Sequence, residues 1–262
     1  MTFGIDVSRW QGNFNFAAAK TEGVGFAILK AGGSDDGRYR DGKFETYYAQ
    51  CKQLNIPVGA YYFGRDFSIQ EAQASANHFL SLLNGKQFEY PVYYDVEGDM
   101  IKKLDKVTLT AIVDTFCSII EKAGYYTGIY SSQSFFNNNM NDAALMKYTH
   151  WVAAWSGSKP TLRSGASVDL WQFGGETNRI RSNKIAGVTC DQDYAYVNFP
   201  SVIKKVGLNG FPKAVPEEPK PVYHTVKDGD TLTGISKQYG VDVDTIVAKN
   251  QLIKPGQNLL IK

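Results

Sequence analysis

The chain has 262 residues, 43% of them hydrophobic, and a formal net charge of +2. This length suits one sizeable globular domain, or one domain with a small accessory unit. The near-neutral charge and the lack of a Lys- and Arg-rich run argue against a nucleic-acid partner. No segment reaches the roughly 18 uncharged apolar residues of a membrane-spanning helix, so we expect no membrane insertion.

The start of the chain and its cysteines bear on where it is made. The first residues lack the basic and long apolar segments of a secretion signal, so we expect synthesis in the cytoplasm without a signal peptide. Cys51, Cys117 and Cys190 are few, odd in number and far apart, as in a reducing compartment. We interpret them as buried small hydrophobic residues.

Short apolar runs rich in β-forming residues alternate with amphipathic helical segments over most of the chain. The predicted helices lie at Lys43 to Leu54, Ile69 to Leu83 and Lys106 to Ala123. This alternation predicts the α/β class with a parallel sheet, and around eight strands in about 205 residues predict a β/α barrel. The connections after Trp151 are too short for full helices, so we expect an irregular barrel that lacks some late helices. The predicted strands are FGIDVS, GFAILKA, PVGAYYF, YPVYYDVE, YTGIYSS, HWVAAW, VDLWQF and a last one around Asp191.

Four prolines between Asn209 and Pro221 predict an extended linker. The predicted domains are therefore a barrel over residues 1–208, a linker over 209–221 and a small module over 222–262. The module is predicted as strand, helix, helix, strand, with Asp230 as the N-cap of its first helix and Gly240 as the C-terminal stop of that helix. At about 40 residues it suits surface binding better than catalysis.

Two carboxylates stand at alternate positions of the fourth predicted strand. Asp95 and Glu97 are at i and i+2, so both point to one face, with Cα atoms about 6.6 Å apart. Repulsion and burial should raise the pKa of one of them, as a general acid at neutral pH requires. The alternative is a solvated strand end, because Asp-x-Glu is frequent by chance.

Further acids fall on the first and last predicted strands. Asp6 ends the first strand, and Asp191 lies on the last, where Asp193 competes with it for the inward position. These strands are neighbours in a closed barrel, and barrel enzymes carry their sites at the C-terminal mouth. We therefore expect the acids to converge on one pocket. In the alternative, Asp6 and Asp193 only cap loops.

Aromatic residues near the predicted strand ends suggest a sugar substrate, because sugar rings stack on aromatic faces; burial in the core is the alternative. These residues are Tyr61, Tyr62, Tyr94, Tyr130, Trp155 and Trp171.

The chain contains no metal-binding His or Cys pattern, serine-nucleophile motif, phosphate loop or dinucleotide fingerprint. We therefore expect no metal and no cofactor.

At these residues the chain resembles the family-25 glycoside hydrolases, over roughly Thr2 to Val206. The shared motifs, in order, are GIDVS with WQ, FAILKA, GAYYF, YDVE, GIYS, WVAAW and LWQF. The resemblance implies a lysozyme, of the kind found in phage endolysins and bacterial autolysins, that cuts the β-1,4 bond between N-acetylmuramic acid and N-acetylglucosamine in peptidoglycan. On these motifs, the residues expected to bind substrate are Tyr61, Lys30, Tyr130, Trp155, Trp171 and Gln172.

The resemblance also implies that Glu97 is the general acid that protonates the leaving oxygen. Asp95 would orient the 2-acetamido group of the substrate, whose carbonyl attacks the anomeric carbon with retention; alternatively, Asp6 or Asp191 would help a water molecule attack with inversion. A chitinase-like glycosidase and a non-catalytic glycan-binding protein remain the alternatives. The presence of both Asp95 and Glu97 favours an enzyme over the latter.

The C-terminal unit resembles a lysin-motif (LysM) module through YHTV, GDTL, YGV and KPGQ. Such modules bind N-acetylglucosamine-containing glycans in a shallow groove between two loops. The resemblance places this groove at Gly229, Asp230 and Thr231 in one loop and at Ile253 and Pro255 in the other. We therefore expect a monomeric enzyme that is held on peptidoglycan at the bacterial cell wall.

Overall fold

A computed structural model describes residues 1–213, 221–250 and 256–261. The described residues fall into two compact units, residues 1–213 in the first and the described residues from 221 onward in the second. None of the described helices is long and apolar enough to cross a membrane. All three cysteines are free and buried, as predicted.

The first unit alternates strands and helices as far as β7. Capping side chains set several helix starts: Ser68 accepts a hydrogen bond from the backbone of Glu71, and Asp105 accepts two at the start of the longest helix. That helix buries an apolar face against the strands. In chain order the elements are β1 (Thr2–Val7), α1 (Phe16–Thr21), β2 (Ala27–Gly33), β3 (Tyr39–Arg40), α2 (Phe44–Gln53), β4 (Val58–Gly64), α3 (Ile69–Leu83), β5 (Val92–Val96), α4 (Lys106–Lys122), β6 (Thr127–Ser132), α5 (Gln133–Asn139), α6 (Asp142–Leu145), β7 (Thr149–Ala153), β8 (Leu170–Gly174), β9 (Lys184–Ile185), β10 (Val188–Thr189), β11 (Asp191–Ala195) and α7 (Phe199–Val206).

Eight strands form a closed barrel in the order β1-β11-β8-β7-β6-β5-β4-β2, and β2 returns to pair with β1. The short β3 extends β2 at the rim. Helices follow the early strands, whereas residues 154–190, all of which the structure describes, contain no helix between β7 and β11. The irregular β/α barrel without late helices is therefore confirmed.

The prediction of a fully parallel sheet is wrong at the last strand. β11 runs antiparallel to both of its neighbours, β1 and β8. The physical reason is the connection from β8, which is a loop containing the β9–β10 hairpin and no crossover helix of the kind that returns a chain to parallel pairing. The start of β11 therefore lies at the mouth where the parallel strands end.

Aromatic rings fill the interior of the barrel below the mouth. Phe26 stacks on Tyr90 with ring centroids 4.2 Å apart, and Tyr90 in turn contacts Phe199 of α7 at 5.5 Å. This packing leaves no room on β1: a Cβ at Gly4 would lie 2.4 Å from the ring of Phe26. Packed rings thus close the bottom of the barrel.

Residues after α7 belong to the barrel unit, although the sequence analysis placed the linker from residue 209 onward. The side chain of Asn209 is fully buried. It accepts a hydrogen bond from the backbone of Tyr126 at 2.6 Å and donates to the carbonyl oxygens of Phe88 and Tyr90 at 3.1 and 2.9 Å. Phe211 packs against the same cluster of rings. Residues 214–220 of the predicted linker lie outside the described residues.

The second unit has the predicted strand, helix, helix, strand order. Its elements are β12 (Tyr223–Thr225), α8 (Leu232–Tyr239), α9 (Val243–Lys249) and β13 (Asn258–Leu260), with β12 antiparallel to β13. Gly240 ends α8 in the left-handed conformation, as predicted. The N-cap is Thr231 rather than Asp230, because Thr231 accepts the bond from Gly234 at 3.1 Å. Its core consists of Val226, Ile235, Ile246, Leu259 and Ile261.

A fragment of residues 1–208 should be less stable than one of residues 1–213, by about 2 kcal/mol or more in the free energy of unfolding. The shorter fragment lacks Asn209 and Phe211 and leaves backbone groups at the barrel bottom without partners. Urea unfolding of both fragments measures the difference, and Asn209→Ala in the longer one should reproduce part of it. Equal stability would contradict the described boundary.

Candidate active site

The four acids singled out in the sequence line one cleft at the mouth of the barrel. Asp6 comes from β1, Asp95 from β5 and Asp191 from β11, and Glu97 follows directly after β5. Asp6 and Asp191 are direct partners in the β1–β11 pairing. Strands that are far apart in the sequence thus bring the carboxylates together.

Asp95 and Glu97 share one wall of the cleft. Asp95 is 4% exposed, and one of its carboxylate oxygens is buried without a hydrogen-bond partner. Burial, reinforced by Glu97, raises the pKa of Asp95. Burial also raises the pKa of Glu97, while Arg65 and Lys30 oppose that rise. The pair therefore retains a proton at a pH at which exposed carboxyl groups have lost theirs.

Arg65 holds the backbone at Glu97. Its guanidinium donates hydrogen bonds to the carbonyl oxygens of Gly64 and Glu97 and lies 4.0 Å from the ring centroid of Phe63. Its own backbone N–H donates to Ser34 at 2.8 Å. The chain leaving β5 is thus fixed from the neighbouring strand β4, which limits where the Glu97 side chain can go.

Gln172 organises the opposite side of the cleft. Its amide nitrogen donates to Asp6 at 2.9 Å, and its amide oxygen accepts from Tyr130 at 3.0 Å and from Trp155 at 3.3 Å. Three of its four hydrogen-bonding positions are therefore used within the protein. This arrangement makes Gln172 a residue that orients Asp6.

Asp193 lies one layer below the cleft, so it does not compete with Asp191 for the inward position as the sequence analysis supposed. It accepts a hydrogen bond from the indole of Trp151 at 2.8 Å. Burial raises the pKa of both Asp6 and Asp193, and the neighbouring carboxylates of Asp191 and Asp193 raise that of Asp6 further. The hydrogen bond from Trp151 opposes the rise at Asp193, and the one from Gln172 opposes it at Asp6.

Asp191 faces the cleft with no such partner. Burial, with Glu97 and Glu176 nearby, raises the pKa of Asp191 to about 7. Asp191 therefore ionises near neutral pH.

Of the residues expected to bind substrate, Tyr61, Lys30, Tyr130 and Gln172 line the cleft. Trp155 is half-buried beside it through its bond to Gln172. Trp171 does not fit the expectation: it is 4% exposed, packs among core rings and donates to the carbonyl of Ala154 at 2.8 Å. Neighbours on a strand point to opposite faces, so the inward Gln172 places Trp171 outside the barrel.

The structure adds cleft residues that the sequence analysis did not assign. Trp10 is 77% exposed at the rim, where an open indole face can stack on a sugar. Arg9, Asp35, Tyr39 and Phe63 line the same wall. In the sequence, the one signal for these residues was the motif Trp10-Gln11 directly after the first strand. Loop residues that follow a barrel strand frequently contribute to sites.

In the second unit, the structure describes one of the two predicted binding loops. Asp230 accepts hydrogen bonds from the backbone of Lys227 at 2.8 Å and from His224 at 2.9 Å. Gly229 adopts a φ of +93°, which glycine tolerates best. The loop of Gly229, Asp230 and Thr231 is therefore held in one shape. Ile253 and Pro255 lie outside the described residues.

Two family models match the chain. Residues 5–180 match the family described as Glycosyl hydrolases family 25, and residues 224–262 match the LysM domain. The first match includes Asp6, Asp95 and Glu97 of the cleft but ends before Asp191. The second spans all of the predicted groove of the small module.

Individual relatives agree with these matches. Lysozyme M1 of Streptomyces globisporus is 30% identical over 202 residues, which cover 70% of this chain and 67% of that protein. Autolytic lysozyme of Clostridium acetobutylicum is 24% identical over 177 residues, 68% of this chain and 52% of that protein, so this chain matches about half of its length. The solved lysozyme of Streptomyces coelicolor is 26% identical with a TM-score of 0.64 and covers 75% of this chain and 92% of its own.

Asp191→Asn should stabilise the protein at pH 8 and change little near pH 4. The folded protein keeps the Asp191 proton up to a pKa of about 7, against a usual value of 3.8, so folding takes up a proton between these values. The wild type therefore loses stability as pH rises through this window. One pKa unit corresponds to about 1.4 kcal/mol, and thermal unfolding from pH 4 to 8 should show a growing difference in Tm.

The matched control is Asp36→Asn, which removes the same charge from an exposed loop residue. Its difference in Tm from the wild type should not rise across the same pH range. A flat difference for Asp191→Asn as well would contradict the buried, proton-retaining state of Asp191.

Proposed function

The chain belongs to glycosyl hydrolase family 25, and from this premise we propose that it is a peptidoglycan hydrolase that cuts the bond between N-acetylmuramic acid and N-acetylglucosamine. The observation that carries the proposal is the Asp95–Glu97 pair, which retains a proton in an open cleft. A glycosidase needs such a protonated acid beside a second carboxyl group at neutral pH. The same cleft offers aromatic faces for sugar rings.

Glu97 is the proposed general acid. It lies at the open end of β5, and the described residues provide no hydrogen-bond partner for its carboxyl group, so a substrate oxygen can take the proton. Arg65 fixes the backbone on which the side chain is carried. Burial raises the pKa of Glu97, and protonation of the leaving oxygen removes the cost of expelling an alkoxide.

Asp95 is the proposed partner that orients the 2-acetamido group. Its buried oxygen without a partner can accept a hydrogen bond from the acetamido N–H, which satisfies an otherwise costly buried acceptor. The acetamido carbonyl oxygen then attacks the anomeric carbon while the leaving oxygen departs with the proton of Glu97. Water, deprotonated by Glu97, opens the resulting cyclic intermediate from the opposite face, so the product retains its configuration. In a second route, Asp191 in its ionised form activates a water molecule and the configuration inverts. Asp6 already accepts a hydrogen bond from Gln172, whereas Asp191 faces the cleft without a side-chain partner among the described residues, so Asp191 is the better placed of the two.

The small module is the proposed wall-binding part. We assign residues 1–208 with the packed segment that follows to catalysis, residues up to 221 to the linker and residues 222–262 to glycan binding. A weak glycan binder tethered to the barrel raises its local concentration at an insoluble polymer. The protein would act as a monomer at the bacterial cell wall, since all cleft residues come from one barrel.

Glu97→Gln should abolish turnover while the fold and the binding to walls remain, and Asp95→Asn should lower turnover by about 100-fold or more. Both replacements keep the size of the side chain and remove its acid. Release of reducing ends from purified peptidoglycan measures activity, and circular dichroism checks the fold. Normal turnover in either variant would refute the assigned roles.

The wild-type products test the bond specificity in the same assay. Borohydride reduction followed by mass spectrometry should identify N-acetylmuramic acid at the new reducing end. N-acetylglucosamine there would make the protein a glucosaminidase, and faster cleavage of chitin oligomers would favour a chitinase-like enzyme. The anomer that forms first, observed by NMR, decides between the two routes: retention supports Asp95 and inversion supports Asp191.

A chain that ends at residue 213 should keep its activity on soluble glycan fragments and lose much of it on whole walls. The deletion removes the second unit and leaves the packed residues Asn209 and Phe211 in place. Turnover of the shortened and the full chain is measured on both substrates. The ratio of the shortened to the full chain should be near one on soluble fragments and well below one on whole walls. An equal loss on both substrates would mean that the module acts as a structural support instead.

A further inference from the structure

Two positive side chains stand on one wall of the cleft that carries the acids. Arg9 follows β1, and Lys30 lies on β2; both line the cleft with Asp6, Asp95 and Glu97. Within the described residues, neither Arg9 nor Lys30 makes a side-chain hydrogen bond or an ion pair with the protein. By contrast, the guanidinium of Arg65 donates hydrogen bonds to two backbone carbonyl oxygens. Arg9 and Lys30 are thus the cleft cations with donors to spare.

Aromatic rings hold both cations in place. The guanidinium of Arg9 lies 5.2 Å from the ring centroid of Trp10 and 5.6 Å from that of Tyr39. The ammonium of Lys30 lies 4.2 Å from the ring centroid of Phe63. Rings attract a cation through their faces without using its N–H groups. The donors therefore stay available for a ligand.

The surrounding structure also fixes the two cations close to each other. The backbone N–H of Arg9 donates to the carboxylate of Asp41 at 3.2 Å. Arg9 also begins a short 3₁₀ helix, Arg9–Gln11, which Ser8 caps. Burial is the main cause of the lowered pKa of Lys30; nearby carboxylates oppose it, and Arg9 adds to it. Both charges also face the ring of Tyr39, the guanidinium of Arg9 at 5.6 Å and the ammonium of Lys30 at 5.9 Å from its centroid, so the two cations lie close to each other.

We propose that Arg9 and Lys30 form a carboxylate subsite that recognises the acid-bearing substituent of muramic acid and so sets a preference for peptidoglycan over neutral chitin-type glycans. A guanidinium with a free planar fork suits a carboxylate. Muramic acid differs from N-acetylglucosamine by a lactyl ether, whose carboxyl group is free or is joined to a peptide stem with carboxylates of its own. The inference rests on the proposed function, because it concerns the same cleft.

The test compares KM and kcat of the full chain for three forms of one glycan preparation. The first is strands with intact peptide stems, the second is strands freed of stems so that the lactyl carboxylate is exposed, and the third is the second with that carboxylate converted to a neutral amide. Arg9→Gln should raise KM at least about tenfold on a form that carries the recognised carboxylate, with kcat changed little. On the neutral amide, its KM should match that of the wild type.

The pattern of loss identifies the source of the carboxylate. A loss on stem-free acid strands assigns the subsite to the lactyl group, and a loss confined to stem-bearing strands assigns it to the peptide. Arg9→Lys, which keeps the charge without the fork, should restore part of the affinity. Arg40→Gln removes the same charge from an exposed residue that pairs with Glu45 at 3.7 Å outside the cleft, and it should behave as the wild type.

Two results would overturn the subsite. One is an equal rise in KM on all three forms, which would show a general effect on the cleft, and the other is no rise on any form. Circular dichroism and Tm of Arg9→Gln exclude misfolding as the cause. Failure of the wild type itself to cleave any of the three forms would instead refute the proposed function, and with it the subsite.

Discussion

The pairing of β11 between β1 and β8 closes the barrel, and the site depends on it. Because β11 runs antiparallel, its first residue lies at the mouth where the parallel strands end. Asp191 thereby stands opposite Asp6, and Asp193 enters the layer beneath. A parallel last strand would carry its first residue to the packed bottom of the barrel. One reversal of direction therefore determines which acids face the cleft.

This closure concentrates carboxyl groups in a small volume, which opposes stability and serves the chemistry. Burial raises the pKa of Asp6, Asp95, Asp191 and Asp193. Hydrogen bonds from Gln172 and Trp151 offset part of the cost at Asp6 and Asp193. The carboxyl groups of Asp95, Glu97 and Asp191 lack such bonds within the described residues. Asp6 and Asp193 are thus held in a polar network, and in the proposed function the other three are available to a substrate.

The two walls of the cleft differ in charge and in polar groups, and this difference favours one orientation of a bound substrate. The wall from β1 to β4 carries Arg9, Lys30 and exposed or half-buried rings, and the opposite wall carries the amide of Gln172 with Tyr130 and Trp155. A glycan with an acidic substituent on alternate sugars fits such an asymmetric cleft in one orientation better than in the other. In the proposed function the small module adds affinity for the polymer, and the cleft selects the bond that is cut.

Local sequence was sufficient for the eight barrel strands, for the three longest helices of the first unit and for naming the four acids that line the cleft. Strand and helix periodicity predicted the irregular barrel, alternation placed Asp95 and Glu97 on one face, and helix-ending Gly240 marked the small module. Register and direction depend on contacts between distant segments, and these only the tertiary structure decided. Sequence spacing could not show that β11 runs antiparallel, which of the neighbours Trp171 and Gln172 points into the cleft, or that Asn209 is buried under the barrel. For the same reason Arg9, an ordinary loop residue in the sequence, gains its place beside Lys30 only when β1 and β2 pair.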